Sequence, residues 1–214
     1  MKPMGLFDFD GTLARGDSAV PFTLFCMRRY PKATIVFPWL ASLVVPYGLG
    51  MVSKKRLKNV MLKILRFVPP AEREKLVEDF HDEVILPKYF NKGLERVAWH
   101  KEQGHTLVLA TASVDFYMDH IRRHLGFDLL VATRTTIEPV PRVIGPNCYG
   151  PEKVKRLQEL DLFEQTDWGN SWAYSDHVSD TPIMELCHNR MATTPSRALR
   201  RYAQNAGWPI VDWS

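Results

Sequence analysis

From Ser18 to Ala71 the chain has no aspartate and no glutamate. The same 54 residues hold nine basic side chains: Arg28, Arg29, Lys32, Lys54, Lys55, Arg56, Lys58, Lys63 and Arg66. The whole chain has a formal net charge of +4, which leaves −5 for the remainder. A basic, apolar insert in an acidic body points to an anionic partner: a membrane surface, a nucleic acid or a phosphorylated ligand. Cysteine is scarce as well. Cys26, Cys148 and Cys187 are odd in number, far apart and without metal-ligand spacing. They exclude a disulfide framework and read as reduced thiols of a cytosolic protein. There is no internal repeat, and 12 Gly and 15 Pro in 214 residues exclude collagen-like and linker-like classes. A secretory signal is not expected, because the first apolar run, Gly5 to Phe9, is short and contains Asp8. What is present, at 45% hydrophobic and 24% charged, is enough to bury the core of one domain with a modest insertion.

Residues 33–53 carry no charge for 21 positions and are flanked by Lys32 and by Lys54, Lys55 and Arg56. That length qualifies as a membrane span. Pro38, Pro46, Gly48 and Gly50 count against one continuous helix.

Hydrophobic periodicity predicts a buried strand over Met4–Phe9 that ends in an Asp-Gly turn. Helices with proline breaks are expected from Ala19 to Phe90, among them an amphipathic one opened by Pro70 that buries Leu76, Val77, Phe80 and Val84. Further helices are expected over Leu94–Gln103, Asp115–Leu125, Pro151–Leu160 and Ser196–Ala206, the first, second and fourth stopped by Gly104, Gly126 and Gly207. Strands are expected over Thr106–Ala110, Asp128–Ala132, Ser171–Ser175, Arg190–Thr193 and Ile210–Trp213, with an irregular β-ribbon over 133–150. This alternation predicts an α/β fold with a parallel sheet, whose ligands bind at the carboxyl ends of the strands.

Polar residues cluster at those ends. Asp8-Phe9-Asp10-Gly11-Thr12 follows the first strand, and Thr111-Ala112-Ser113 follows the second. Lys153 opens a helix, and Asp176 and Asp180 follow the strand that ends near Tyr174. Asp-x-Asp alone also fits a calcium loop, and a lone Thr or Lys is usually a surface group. The specific signal is the order of all four along the chain.

That order resembles the haloacid dehalogenase superfamily of phosphohydrolases over nearly the whole chain. Helices inserted after the first motif, and Thr-Ala-Ser as the second, are most similar to its phosphoserine phosphatase-like branch. YSDHVSDTPIMELC and TPSRALRRYAQNAGWPIVDW resemble a bacterial subgroup that includes phosphatidylglycerophosphate phosphatases. The resemblance implies a Rossmann-like core over 1–15 and 87–214, a helical cap over 16–86 and a flap over 133–150. It implies Asp8 as nucleophile, Asp10 as general acid and base, and Mg²⁺ held by Asp8, Asp10 through its carbonyl, and Asp176. Asp180 would orient metal-bound water or Lys153. Gly11, Thr111, Ala112, Ser113 and Lys153 would hold the phosphate. Two departures stand out. Ser175 replaces a frequent Gly, and Asp17 stands nine residues after Asp8, where phosphoserine phosphatases carry an amine-binding Glu. Asp17, Lys58 and His177 are candidate substrate contacts, with Asp17 equally suited to capping the first helix. His120 and His124 read as a solvated helix face, and Trp168, Trp172, Trp208 and Trp213 as packing.

A single span over 33–53 would put Asp8 on the opposite side of a bilayer from Thr111, Lys153 and Asp176, which must meet at one phosphate. The uncharged block is therefore expected within the cap, at a subunit contact or laid into a membrane interface. The expected activity is Mg²⁺-dependent hydrolysis of a phosphomonoester, either lipidic and amphipathic or a small soluble metabolite. Peripheral contact with an anionic membrane at the cytoplasmic face would suit the first. A nucleic-acid-binding module is the rival class, disfavoured because an acidic body would repel a long polyanion, so no nucleic-acid partner is expected. Oligomeric state is left open.

Overall fold

Alternate side chains of the first apolar run face opposite sides of a sheet, Met4 and Leu6 into one hydrophobic cluster and Phe7 into another. The computed structural model describes all residues from Met1 to Ser214. Strand β1 (Met4–Phe7) leads into four helices, α1 (Ala19–Arg29), α2 (Phe37–Gly48), α3 (Lys54–Leu62) and α4 (Arg73–Phe80). Next come α5 (Asn91–Glu102), β2 (Thr106–Val114), α6 (Asp115–Leu125) and β3 (Leu129–Thr133). A small antiparallel ribbon, β4 (Thr135–Thr136) with β5 (Arg142–Val143), precedes α7 (Pro151–Gln158). The chain ends with β6 (Trp172–Ser175), α8 (Thr181–Met184), β7 (Asn189–Thr193), α9 (Arg197–Ala206) and β8 (Ile210–Val211).

Six of the strands form one parallel sheet in the order β3-β2-β1-β6-β7-β8. This is a Rossmann-like α/β sheet. Strand order runs outward to β3 on one side of β1 and to β8 on the other, so the direction of winding reverses between β1 and β6. A crevice at the carboxyl ends of strands is the usual ligand site at such a reversal. The helices between β1 and β2 do not form a separate core. Phe22, Phe25 and Phe80 belong to the same cluster as Phe7 and Tyr117, the Phe22 ring lying tilted 4.7 Å from Tyr117 and edge-to-face 5.0 Å from Phe80. Helix α2 is the exception and buries none of its residues.

Several boundaries differ from expectation. β1 ends at Phe7, because the Phe9 carbonyl accepts from the backbone N–H of Thr12, Leu13 and Ala14 and gathers the chain into a turn. β2 runs on through Thr111–Ser113 to Val114, held by a shifted register against β3. The helix after Pro70 breaks into a 3-10 turn, α4 and a π-helical turn at His81–Ile85. α8 was not foreseen, and β8 is shorter than Ile210–Trp213. Helices α5, α6 and α9 stop at the expected glycines. Ser196 caps α9 by accepting from the Leu199 N–H, a contact worth about 1 kcal/mol. The three cysteines are buried and unpaired. No helix is long and apolar enough to cross a membrane.

Candidate active site

Asp8 leaves β1 with its N–H still bonded to the Tyr174 carbonyl, so the sheet ladder itself fixes the start of the loop. Gly11 has φ +81°, a left-handed conformation that a side chain disfavours. A Cβ there would lie 2.4 Å from Asp176 Oδ2, so the Asp176 carboxylate rests directly on the Gly11 backbone. Thr12 closes the clasp: its hydroxyl accepts from the Asp176 N–H at 3.0 Å and donates to Asp176 Oδ1 at 3.3 Å.

Lys153, on the first turn of α7, is buried with its ammonium 2.9 Å from Asp8 Oδ1 and 2.8 Å from Asp180 Oδ2. Burial alone would lower its pKa, but Asp180 and Asp8 together reverse that and hold it charged. Burial pushes Asp8 above the usual carboxylate range against the pull of Lys153, with Asp180 and Asp176 adding to the rise. Ser175 also donates to Asp180 Oδ2, at 2.7 Å, so the departure from glycine has a use: it fixes the carboxylate that fixes the lysine.

Asp10 is held differently. Ser113 Oγ donates to its Oδ2 at 2.6 Å, whereas its Oδ1 is buried without a partner. Burial raises its pKa to about 7, although the Ser113 bond works the other way. Ser113 Oγ in turn lies 3.1 Å from Ser18 Oγ, which lies 3.1 Å from the Tyr117 hydroxyl. With Asp10 ionised, one proton per hydroxyl gives a single order of donation, Tyr117 to Ser18 to Ser113 to Asp10. Thr111 Oγ1 accepts from the Ser113 N–H at 3.0 Å. Ser113, expected to hold phosphate, therefore has both its N–H and its hydroxyl engaged and supports Asp10 instead.

These groups open on a cleft of about 550 Å³ that also takes in Gly11, Ala112, Asp17, Lys58 and His177. Asp17 Oδ1 accepts from the N–H of Ala19 and Val20, so that oxygen caps α1. His177 Nδ1 accepts from the Ser179 N–H and caps the turn at Val178–Asp180. Lys58 reaches from α3 to Asn147 Oδ1 at 2.5 Å, to Thr133 Oγ1 and to the Ala112 carbonyl, pinning the insert to the end of β2. Burial brings its pKa down to about 8. His120 and His124 do not line the cleft; His124 is exposed and His120 half-buried, so this helix face meets solvent as expected, with His81 beside it. The His81 ring packs 5.4 and 4.0 Å from them.

Sequence reasoning missed Thr12, Ser18, Tyr117 and Asn147. Thr12 carried a signal, as a hydroxyl in a carboxylate-rich turn. The other three carried none.

Nowhere in the chain do three His, Cys, Asp or Glu side chains converge as a metal site. The donors that do meet here are all oxygens: the carboxylates of Asp8 and Asp176 beside the Asp10 backbone. Asp176 is raised to about 6 by burial and then by Asp180. Crowded oxygen donors that repel one another fit a hard divalent cation such as Mg²⁺, with two carboxylates, a carbonyl and water as its shell.

A sequence model of the haloacid dehalogenase-like hydrolases matches residues 6–185. The chain belongs to that family. Phosphoserine phosphatase SerB1 of Mycobacterium tuberculosis is 30% identical over 216 residues, covering 97% of this chain and 70% of that one. A probable phosphatase of the same organism is 29% identical over 218 residues, covering 100% of this chain and 76% of the other. Among solved structures, a protein of unknown function from Bordetella pertussis Tohama I aligns with a TM-score of 0.87 and 27% identity over 100% of both chains. With phosphatases as relatives along nearly its full length, this haloacid dehalogenase-like hydrolase is a phosphatase.

Proposed function

We propose that the chain is a Mg²⁺-dependent phosphomonoesterase that carries the phosphoryl group on Asp8 and acts on an amphipathic, lipid-like phosphomonoester. The observation that carries the chemistry is the pairing of Asp8 with the buried Lys153 at 2.9 Å, beside an Asp10 whose Oδ1 has no partner. In the first half-reaction an Asp8 oxygen bonds to phosphorus while the bond from phosphorus to the alcohol oxygen breaks. Asp10 gives that oxygen its proton. In the second, water attacks the same phosphorus, Asp10 takes the water's proton, and inorganic phosphate leaves with Asp8 restored. A raised Asp10 is suited to both tasks, since it can hold a proton near neutral pH. Lys153 offsets charge on the transferring group, and Thr111 and the backbone N–H of Ala112 hold its oxygens, the Gly11 N–H being already donated to the Ala14 carbonyl at 2.8 Å. Ser113 positions Asp10, and Asp180 positions Lys153. Mg²⁺, held by Asp8, Asp176 and the Asp10 carbonyl, would supply positive charge where phosphate oxygens and carboxylates crowd together.

The leaving-group end of the cleft supports the substrate class. Val20, Leu57 and Met61 give it an apolar wall, and Tyr47, Tyr149 and Lys54 a mixed one. Asp17 has one oxygen committed to α1, which counts against amine recognition of the phosphoserine kind. Such a substrate suits an enzyme at the cytoplasmic face of a membrane. Asp8→Asn keeps the shape but removes the nucleophile. It should cut hydrolysis of p-nitrophenyl phosphate by at least about 10³-fold with an unchanged circular dichroism spectrum, and wild-type protein quenched in acid should carry a phosphoryl mass on the peptide containing Asp8. Near-normal turnover in Asp8→Asn overturns the nucleophile. Hydrolysis confined to small soluble phosphates overturns the lipid-like substrate.

A further inference from the structure

Helix α2 is apolar around its whole circumference, and nothing in the chain covers most of it. Leu40 and Leu43 face the rest of the insert and are half-buried, in line with the buried Val36. Around the remainder, Phe37, Trp39, Val44 and Val45 stand between 56% and 68% exposed. Ile35, Leu49 and Met51, just beyond its ends, are 70–74% exposed. The nearby hydroxyls are turned inward: Thr34 donates to the Pro31 carbonyl at 2.6 Å and Ser42 to the Trp39 carbonyl at 2.8 Å. A helix apolar on every side is one that something covers, and folded monomers rarely leave a continuous patch of this kind to water.

Charge decides between the two occupants that fit an apolar helix, a second copy of the chain or a bilayer. Arg28 and Arg29 are paired with Glu83 and Asp79, and Lys58 is spent inside the cleft. Lys32, Lys54, Lys55, Arg56, Lys63 and Arg66 make no ion pair, and no acidic residue lies within 18–71 to oppose them. Lys63 stands over the Trp39 ring at 4.6 Å, an ammonium carried on the apolar helix itself. A twofold contact through α2 would press two such basic rims together. An anionic bilayer meets the rim with opposite charge and the helix with hydrocarbon. Twelve residues of α helix reach only about 18 Å, well short of a hydrocarbon core of about 30 Å, so the helix lies in the surface and does not cross it.

The structure assigns α2 as a membrane-interfacial helix that seats in the headgroup boundary of an anionic bilayer. Tyr47 of α2 and Lys54, Leu57 and Met61 of α3 line the cleft, so seating α2 brings the cleft mouth to the level of the headgroups. Delivery of a lipid phosphomonoester to Asp8 follows and rests on the function proposed above; the docking does not.

Co-sedimentation with phosphatidylcholine vesicles, with and without phosphatidylglycerol, tests the docking on the full chain. Wild type should bind the anionic vesicles more tightly by at least about tenfold. Val44→Asp with Val45→Asp should lower that binding by about tenfold or more, and leave hydrolysis of p-nitrophenyl phosphate unchanged as the control for folding. Lys55→Glu with Arg56→Glu should erase the preference for phosphatidylglycerol. Wild type that ignores both vesicle types overturns the assignment. So does a stable dimer in sedimentation velocity that Val45→Asp splits, with no vesicle binding, because a second copy then covers the helix. If vesicles bind but Asp8→Asn still hydrolyses phosphate esters, the docking stands and the catalytic reading falls.

Discussion

Asp10 has two oxygens in opposite circumstances, one bonded to Ser113 and one buried and unpaired, and its behaviour as an acid depends on the difference. The Ser113 hydroxyl favours the charged form, so it holds down a pKa that burial has already raised. Ser113→Ala removes that restraint. The group then keeps its proton to higher pH, and the alkaline limb of the kcat profile should move upward in pH. The same change frees the carboxyl to rotate, and kcat at neutral pH should fall about tenfold. A pH–rate series on Mg²⁺-loaded protein checks both, and an unmoved alkaline limb would show that Asp10 is not the group titrating there. Asp8, Asp10, Lys153, Asp176 and Asp180 were legible in the sequence because carboxylates and a lysine recur just past strands or at a helix start. Ser18 and Tyr117 were not. Ser18 meets Ser113 from 95 positions away in the sequence, and only the folded chain brings a helix-start serine to the support of Asp10.

The loop after β1 and the end of β6 act as one part, because Asp176 lies on Gly11 and is clasped by Thr12. Gly11→Ala tests this. The added methyl meets a left-handed φ and a carboxylate oxygen at 2.4 Å, so Asp176 must move. A displacement of about 1 Å in such a site costs on the order of 10²-fold in rate. Titration with Mg²⁺ should also show weaker apparent affinity, whereas the thermal midpoint changes little by comparison. Most elements were readable from periodicity and punctuation, since apolar runs, helix-stopping glycines and proline starts act locally. The extra length of β2 was not, because Val114 is strand only through its pairing with Thr133. The broken helix after Pro70 escaped for the same kind of reason: burial of His81 and Ile85 sets the π-helical turn there.

At the scale of the whole molecule, a histidine remote from the cleft should make stability depend on acid. His100 is fully buried under the sheet, with Nε2 2.9 Å from the Tyr174 hydroxyl and Nδ1 2.7 Å from His105 Nδ1. Burial, then His105 and Arg96, pushes its pKa from 6.5 down to about 3. A histidine depressed in the folded state contributes its full stability above its unfolded pKa and loses it as pH falls toward the folded one. Stability should therefore decline below pH 6.5. In urea titrations, His100→Gln should reduce the slope of stability against pH by up to about 1.4 kcal/mol per unit between about pH 6 and pH 4. An unchanged slope would mean that other groups carry the acid response. The placement of β1 has a different consequence, one that concerns time. Its edges pair with Thr106–Leu109 and with Trp172–Tyr174, so the strand that leads into Asp8 is made long before either neighbour exists. A nascent chain halted ahead of β6 carries Asp8 and Asp10 but lacks Asp176 and Asp180. Under the proposed function such a chain is inactive, and the strand it exposes, apolar on both faces and open along one edge, is what a holding chaperone would meet.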